Sequence, residues 1–495
     1  MNKLRILFFA FSGIFFFQIS FAQDTLNAQQ FTLKEIVEMA RDRSIWALQA
    51  EVRKENRYWQ YRVYKSNYNP QLSLDGTFPA YQRAFDPVRQ QDGSYDYRDV
   101  NQNNSDINLS LEQSLSMTGT QFFINSNVRR FDNFSSDPKY KLYSGEPISV
   151  GLRQPLFQFN QLRWDKRIEP LRYEESKREF VEDLENISMI ATNRFFDLLL
   201  AQMNLRIAHL NLANNDTIYK IGEGRYNLGK IAENELLDLE LNVMTSRQQA
   251  AESSLDVETS LLRLRTFVGL TNVETVELLP PSEIPTYNVD EATAISMARD
   301  HRADALGFTR RQLEAERDVA QAKGTTGLNA DLFASMGISG RSEESLPEMY
   351  GNTVDQQSIR VGFEIPILDW GRQKSRVKTA EANLKLEEYT IELDEINFDE
   401  AIFTQVKQFE MLKYQVNISE RADFVAQKRY DIARNRYLIG KISITDLNLA
   451  LRDKDDAKRA YIQSLRDFWT AYYNLRLLTL YDFETNQKLY KSEEE

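Results

Sequence analysis

The side chains able to do acid–base, nucleophilic or metal chemistry are few and scattered. His209 and His301 are the only histidines, and cysteine is absent. That removes disulfides, thiolate zinc sites, cysteine nucleophiles and a lipid-bearing N-terminal cysteine. His209 falls inside a long helical segment and His301 follows a first-helix turn, both positions that suit a solvent or interface residue. No Gly-rich phosphate loop is present. The expectation is a protein that is not an enzyme, with no catalytic residue, no metal ligand and no cofactor. What remains is a set of carboxylates and two glycine turns. Ser443-Ile-Thr-Asp446 fits a helix capping box, in which the carboxylate bonds a backbone N–H. Glu235 stands at the matching place of an earlier copy, with Asp238 one turn on. Gly229 and Gly440 suit the left-handed residue that ends a helix.

Those turns belong to a duplication. Gly224-Arg-Tyr-Asn-Leu-Gly-Lys-Ile231 returns as Asn435-Arg-Tyr-Leu-Ile-Gly-Lys-Ile442, and Ile148-Ser-Val-Gly-Leu-Arg-Gln-Pro-Leu-Phe157 as Ile359-Arg-Val-Gly-Phe-Glu-Ile-Pro-Ile-Leu368, both 211 residues on. Lys65–Thr77 aligns with Lys323–Ser335, and Ala40-Arg-Asp42 with Ala298-Arg-Asp300, 258 residues on. The difference of 47 places an insertion in the first copy between residues 78 and 148. The expected organisation is a first repeat over 23–270, a linker over 271–287 holding Pro280, Pro281 and Pro285, a second repeat over 288–481, and a tail over 482–495.

Each copy predicts the same elements. One helix (32–66 and 289–323) precedes a strand (71–81 and 329–339) and a second strand (148–156 and 359–367). Two long helices follow (161–222 with 231–268; 372–433 with 442–480). Ile359, Val361, Phe363 and Ile365 alternate with Arg360, Gly362 and Glu364, the period of a sheet with one apolar and one wet face. Such strands match the ~10 residues that cross an outer membrane, and on the strands alone a soluble β-sandwich fits equally well. Ile391, Phe398, Ile402, Phe409 and Val416 recur at coiled-coil spacing, and their counterparts Phe180, Ile187, Ala191, Leu198 and Leu205 are also apolar. A helix of ~60 residues is about 90 Å long, the length of a rod rather than of a compact globule. In the insertion, Ile107/Leu109/Leu111 and Phe122/Ile124/Val128 predict an added β-hairpin over about 105–131, turning at Gly119, between polar loops over 85–105 and 132–147.

The remaining bulk properties fit an exported chain. Lys3 and Arg5, an apolar run from Ile6 to Phe17 and Ser20-Phe-Ala22 predict a signal peptide over 1–22. Its loss of two positive charges takes the formal charge from −12 to −14, which argues against a nucleic-acid binder. No later segment is apolar enough to span a bilayer as a helix.

With these residues in place, the chain resembles the TolC-like outer-membrane efflux family. The carriers are the duplicated order of elements, Gln154-Pro-Leu-Phe157 and Ile365-Pro-Ile-Leu-Asp-Trp-Gly371 entering the long helices, and the two Arg-Tyr-x-x-Gly-Lys-Ile turns. Asn160 replaces the counterpart of Gly371, and asparagine tolerates a left-handed backbone next best after glycine. The resemblance implies a mixed fold: a coiled-coil α-helical barrel in the periplasm joined to a membrane β-barrel that a homotrimer shares. Four strands per chain would give twelve in the barrel. Six, with the added hairpin in the wall, would give eighteen, and the larger number is favoured. It implies a passive outer-membrane duct for small molecules or proteins, working with a periplasmic adaptor (membrane fusion) protein and an inner-membrane transporter. It places the adaptor on the tips formed by Tyr226, Leu228, Gly229 and Lys230 and by Tyr437, Ile439, Gly440 and Lys441. It sets Glu235, Asp238 and Asp446 at the periplasmic entrance, with Leu449 where a second acidic ring is expected. A periplasmic adaptor or coiled-coil scaffold is the competing class, but it should hold neither two copies nor strand pairs ahead of each hairpin.

Overall fold

A computed structural model of the chain describes residues 29–136, 138–270, 276–281 and 283–490. The signal peptide expected over 1–22 lies outside the described residues. The first copy runs β1 (Gln29–Phe31), α1 (Leu33–Arg43), α2 (Ile45–Ser66), β2 (Gln71–Thr77), β3 (Tyr81–Arg89), β4 (Tyr95–Ser114), β5 (Gln121–Asn133), β6 (Tyr140–Leu156), α3 (Gln161–Asn227) and α4 (Glu233–Val268). After β7 (Val276–Leu278) come α5 (Glu291–His301), α6 (Ala303–Gly324), β8 (Asn329–Ser342), α7 (Leu346–Gly351), β9 (Thr353–Glu364), α8 (Arg372–Leu438), α9 (Ile444–Thr479), β10 (Tyr481–Asp482) and β11 (Gln487–Lys488). Two compact units divide the chain, Met1–Ile36 with Asp197–Ser282, and Val37–Phe196 with Glu283–Glu495. No described helix is long and apolar enough to cross a membrane.

In the smaller unit β1 pairs in parallel with β7, so part of the expected linker is a strand. Gln202 on α3 locks this pair from the side: its Nε2 donates to the Val276 carbonyl (2.6 Å) and its Oε1 accepts the Leu278 N–H (3.2 Å).

The larger unit holds the main sheet. Its strands run β2–β4–β5–β6–β8–β9, with β3 pairing the far half of β4. β2 takes Glu112–Asp106 of β4 and β3 takes Asn103–Tyr95, so the two act as one interrupted strand and the sheet is six positions wide. The expected loops over 85–105 and 132–147 are largely strand instead. There the residues on both faces are mostly polar or aromatic, with Val88, Val100 and Leu142 as scattered exceptions, so hydrophobic alternation gives no sign of a ladder that backbone hydrogen bonds nevertheless form. The Gly119 turn forms with φ +73°, and the Leu115 N–H closes it on the Thr120 carbonyl (2.8 Å).

One face of the sheet carries Leu74, Leu109, Val150, Leu152, Ile359 and Phe363, and the other Asp75, Asn108, Ser149, Gly151, Arg360 and Gly362. Register keeps each set on its side, because a strand's period is two.

The single first helix expected in each copy is two helices. Both copies break at the same place, Ser44 and Arg302, where the backbone turns extended. Neither glycine nor proline marks the break. Ser44 caps α2 by accepting the Ala47 N–H (3.1 Å), while the α6 N-terminus is capped from α3, where Glu182 accepts the Ala303 N–H (2.9 Å). The turns before the long helices also differ from expectation. In the second copy Trp370 and Gly371 are left-handed; in the first it is Phe157, not Asn160. Asn160 instead accepts the Arg163 N–H (3.1 Å) and donates to the Ser116 carbonyl (2.9 Å).

The predicted seam is buried at Ile391, Phe398, Ile402, Phe409 and Val416. Phe409 stacks on Phe468 of α9, with ring centroids 5.2 Å apart. In the first copy Ile187, Ala191 and Leu198 are buried, and Phe180 and Leu205 half-buried. Beneath lies an ionic knot. Glu185, 0% exposed, accepts from Arg41 (2.9 Å) and from Arg476 (2.9 Å), whose other arm reaches Asp482 (2.6 Å). The C-terminal segment expected as a tail is thus tied down, and its β10–β11 pair forms a short hairpin.

Candidate functional site at the helical turns

The two helix reversals have one construction. In the first, the Gly229 N–H bonds the Tyr226 carbonyl and the Lys230 N–H the Arg225 carbonyl, both at 2.8 Å. In the second, Gly440 bonds Tyr437 and Lys441 bonds Arg436, both at 2.9 Å. The glycines take φ +61° and +72°. Nothing lies within 4 Å of a Cβ built on either, so the backbone conformation, not crowding, calls for glycine. Leu228 (75% exposed) and Ile439 (65%) project into solvent without apolar cover. Tyr226, Lys230 and Lys441 are exposed too, but Tyr437 is buried at 4%. Of the residues expected at the second tip, Ile439, Gly440 and Lys441 are therefore the ones at the surface.

The acidic positions diverge between the copies. Asp446 closes a full capping box: its carboxylate accepts the Ser443 N–H (3.2 Å) and hydroxyl (2.8 Å), and the Ser443 Oγ accepts the Asp446 N–H (3.1 Å). In the first copy the cap position is Ala232, whose methyl group offers no hydrogen-bond acceptor. Among the described residues the Glu235 and Asp238 carboxylates have no hydrogen-bond partner, and Asp238 is exposed. Leu449 is exposed at the counterpart of Asp238. No group of three His, Asp or Glu among the described residues is placed to hold a metal ion.

The long helices carry a feature the sequence reading missed. Besides its buried seam, α8 has a second apolar stripe, Leu386 (65% exposed), Tyr389, Leu393, Ile396, Phe403, Met411, Tyr414 (69%) and Ile418. Leu237, Leu241, Met244, Leu255 and Leu262 make a similar stripe on α4. The signal was present as three- and four-residue spacing, but a search for one seam per helix stops at the first.

The sequence profile of the outer membrane efflux protein family matches residues 36–270 and 295–479. No curated protein sequence matches significantly. Among solved structures, the chain is similar to the CmeC outer membrane channel of Campylobacter jejuni, with TM-score 0.64 and 16% identity over 90% of this chain and 85% of that one. It is also similar to the outer membrane protein VceC of Vibrio cholerae, with TM-score 0.61 and 15% identity over 90% and 95%. A membrane protein from Pseudomonas aeruginosa gives TM-score 0.64 and 14% identity over 90% and 92%. Identities this low speak for the fold, whereas the profile takes in both copies of the duplicated unit, sheet and helical hairpins alike. The chain therefore belongs to the outer membrane efflux protein family, and is an outer-membrane exit duct for efflux.

Proposed function

We propose that three copies of this chain close one barrel and pass small molecules or proteins outward from an inner-membrane transporter through a periplasmic adaptor. The observation that carries the trimer is the pair of open sheet edges. β9 is the counterpart of β6, and β2 of β8. Within the chain β6 pairs with β8, Gln154 opposite Leu332. The same ladder drawn between copies sets Ile365 opposite Leu74 of the next. β6 stays strand as far as Leu156, where β8 still pairs it, whereas β9 stops at Glu364, short of the matching residue 367. Open edges in lipid leave backbone groups unsatisfied, and closure removes the cost. Six positions from each of three copies make eighteen. The exposed stripes on α4 and α8 supply a second surface that neighbouring copies cover, as a coiled-coil seam requires.

At the helix turns, Leu228 and Ile439 offer apolar knobs to an adaptor, with Lys230 and Lys441 beside them. Glu235, Asp238 and Asp446 line the entrance, where three copies of each would gather negative charge and favour cations. Asp446 holds its own helix cap at the same time.

The test uses the absence of native cysteine. Leu74→Cys with Ile365→Cys, oxidised in outer membranes, should yield a covalent trimer on a denaturing gel, and each single variant should yield none. Monomers alone from the double variant would sink the register and the closed barrel.

A further inference from the structure

We infer that the polar face of the sheet carries a subsite for planar aromatic anions, formed by Phe123, Phe333, Arg153 and Arg360. It deepens the duct reading and rests on it, because that reading turns this face to the lumen.

The four residues lie on adjoining strands of one face. Arg153 of β6 and Arg360 of β9 each stand directly opposite Phe333 of β8, so a single rung reads Arg–Phe–Arg. Phe123 of β5 reaches across β6 to stack on Phe333, with ring centroids 5.6 Å apart and planes 18° from parallel. Gly151 makes that reach possible: a Cβ there would come within 2.3 Å of the Phe123 Cζ. The Arg360 guanidinium covers Phe333 at 4.5 Å from its centroid. The result is a continuous stack of phenyl, phenyl and guanidinium.

Two phenyl rings stack side by side on a stretch of the face that also carries Asp75, Asn108, Ser149, Gly151 and Gly362. A wetted wall gains nothing from half-buried phenylalanines unless something lies against them. The opposite face already holds the apolar set, so the pair is not a continuation of the lipid surface. Arg153 and Arg360 are exposed, and among the described residues neither makes an ion pair. The nearby carboxylates bond neutral donors rather than either guanidinium. Asp331 accepts from Gln158 (3.1 Å), and Glu112, opposite Phe123, from Ser110 (3.2 Å). A flat aromatic group can lie on the open face of Phe123, extending the stack. Its anionic substituent is drawn by the two guanidiniums on the same face, Arg153 beside the stack and Arg360 at its other end, which offer planar forks to a carboxylate or sulfonate. An aliphatic anion would find the charges without the stack, and an aromatic cation the stack against two positive charges.

Block of single-channel current through the purified trimer in planar bilayers tests the subsite. The probes are naphthalene-2-sulfonate, octane-1-sulfonate and 2-naphthylmethylammonium. Naphthalene-2-sulfonate should block at a concentration about tenfold below either of the others. Arg153→Gln and Arg360→Gln should each raise its blocking concentration, and Phe333→Leu should erase its advantage over octane-1-sulfonate. Equal block by all three probes on the unaltered protein overturns the inference, as does unchanged block in the Arg153→Gln/Arg360→Gln double variant. A trimer that passes no current overturns the duct reading instead. Equilibrium dialysis of naphthalene-2-sulfonate against that same trimer then decides the subsite, upheld by binding that the double variant loses and overturned by binding it keeps.

Discussion

At the scale of the residue, the duplicated copies show how one position can be committed in one place and free in the other. Asp446 spends its carboxylate on the Ser443 cap, and Glu235 has no such partner. Asp446→Ala should therefore lower the thermal midpoint, by a cap's worth of about 1 kcal/mol. Glu235→Ala should leave the midpoint where it is and weaken block by divalent cations added on the periplasmic side. Differential scanning calorimetry with conductance recordings checks both, and the reverse pattern would make Glu235 structural. The Glu185 knot is a larger stake. Replacing Arg476 by methionine strands a fully buried carboxylate with Arg41 alone, and should cost about 3–5 kcal/mol in denaturant unfolding. His301 gives a pH signature. Burial holds it below the ordinary histidine value, the neighbouring Lys488 and Arg178 add to that, and its bond to the Met297 carbonyl and Asp300 oppose it. The unfolded chain thus binds the proton more readily, so stability should fall as pH drops below about 6.5. His301→Gln should flatten that part of the stability–pH curve; an unchanged slope would place the acid sensitivity elsewhere.

At the scale of the element, the long helices are two-sided. α8 spends Ile391, Phe398, Ile402, Phe409 and Val416 inside its own chain and leaves Leu393 and Ile418 on the opposite stripe. Leu393→Glu with Ile418→Glu should abolish trimers in detergent while helical circular dichroism of the monomer stays unchanged. Loss of helicity would instead mean that the stripe supports the fold. The turns make the complementary case. Tryptophan at Leu228 and Ile439 meets open solvent on both tips, so trimers should remain in the membrane while export stops. Export that continues would leave those tips as turns only.

At the scale of the whole molecule, the sequence determined the unit and its repetition. The two offsets come from matching the chain against itself, while the Gly229 and Gly440 turns, the capping box and the first apolar seam are local or periodic facts, read from residues a few positions apart. Strand alternation showed which face is apolar for the same reason. What tertiary structure alone decided is of another kind. The halving of the first helices at Ser44 and Arg302 carries no breaker residue, and in the second copy the capping carboxylate comes from Glu182, 121 residues away. The polar extensions of β3 to β6 satisfy their backbone through partners that hydrophobic spacing does not reveal. The arrangement of Phe123 on Phe333 depends on a glycine in the strand between them and on a register set by the whole sheet. Pattern along a chain records which side of an element is buried, but it does not record which distant atom completes a hydrogen bond or a stack. Those partners are fixed only when the strands and helices have met.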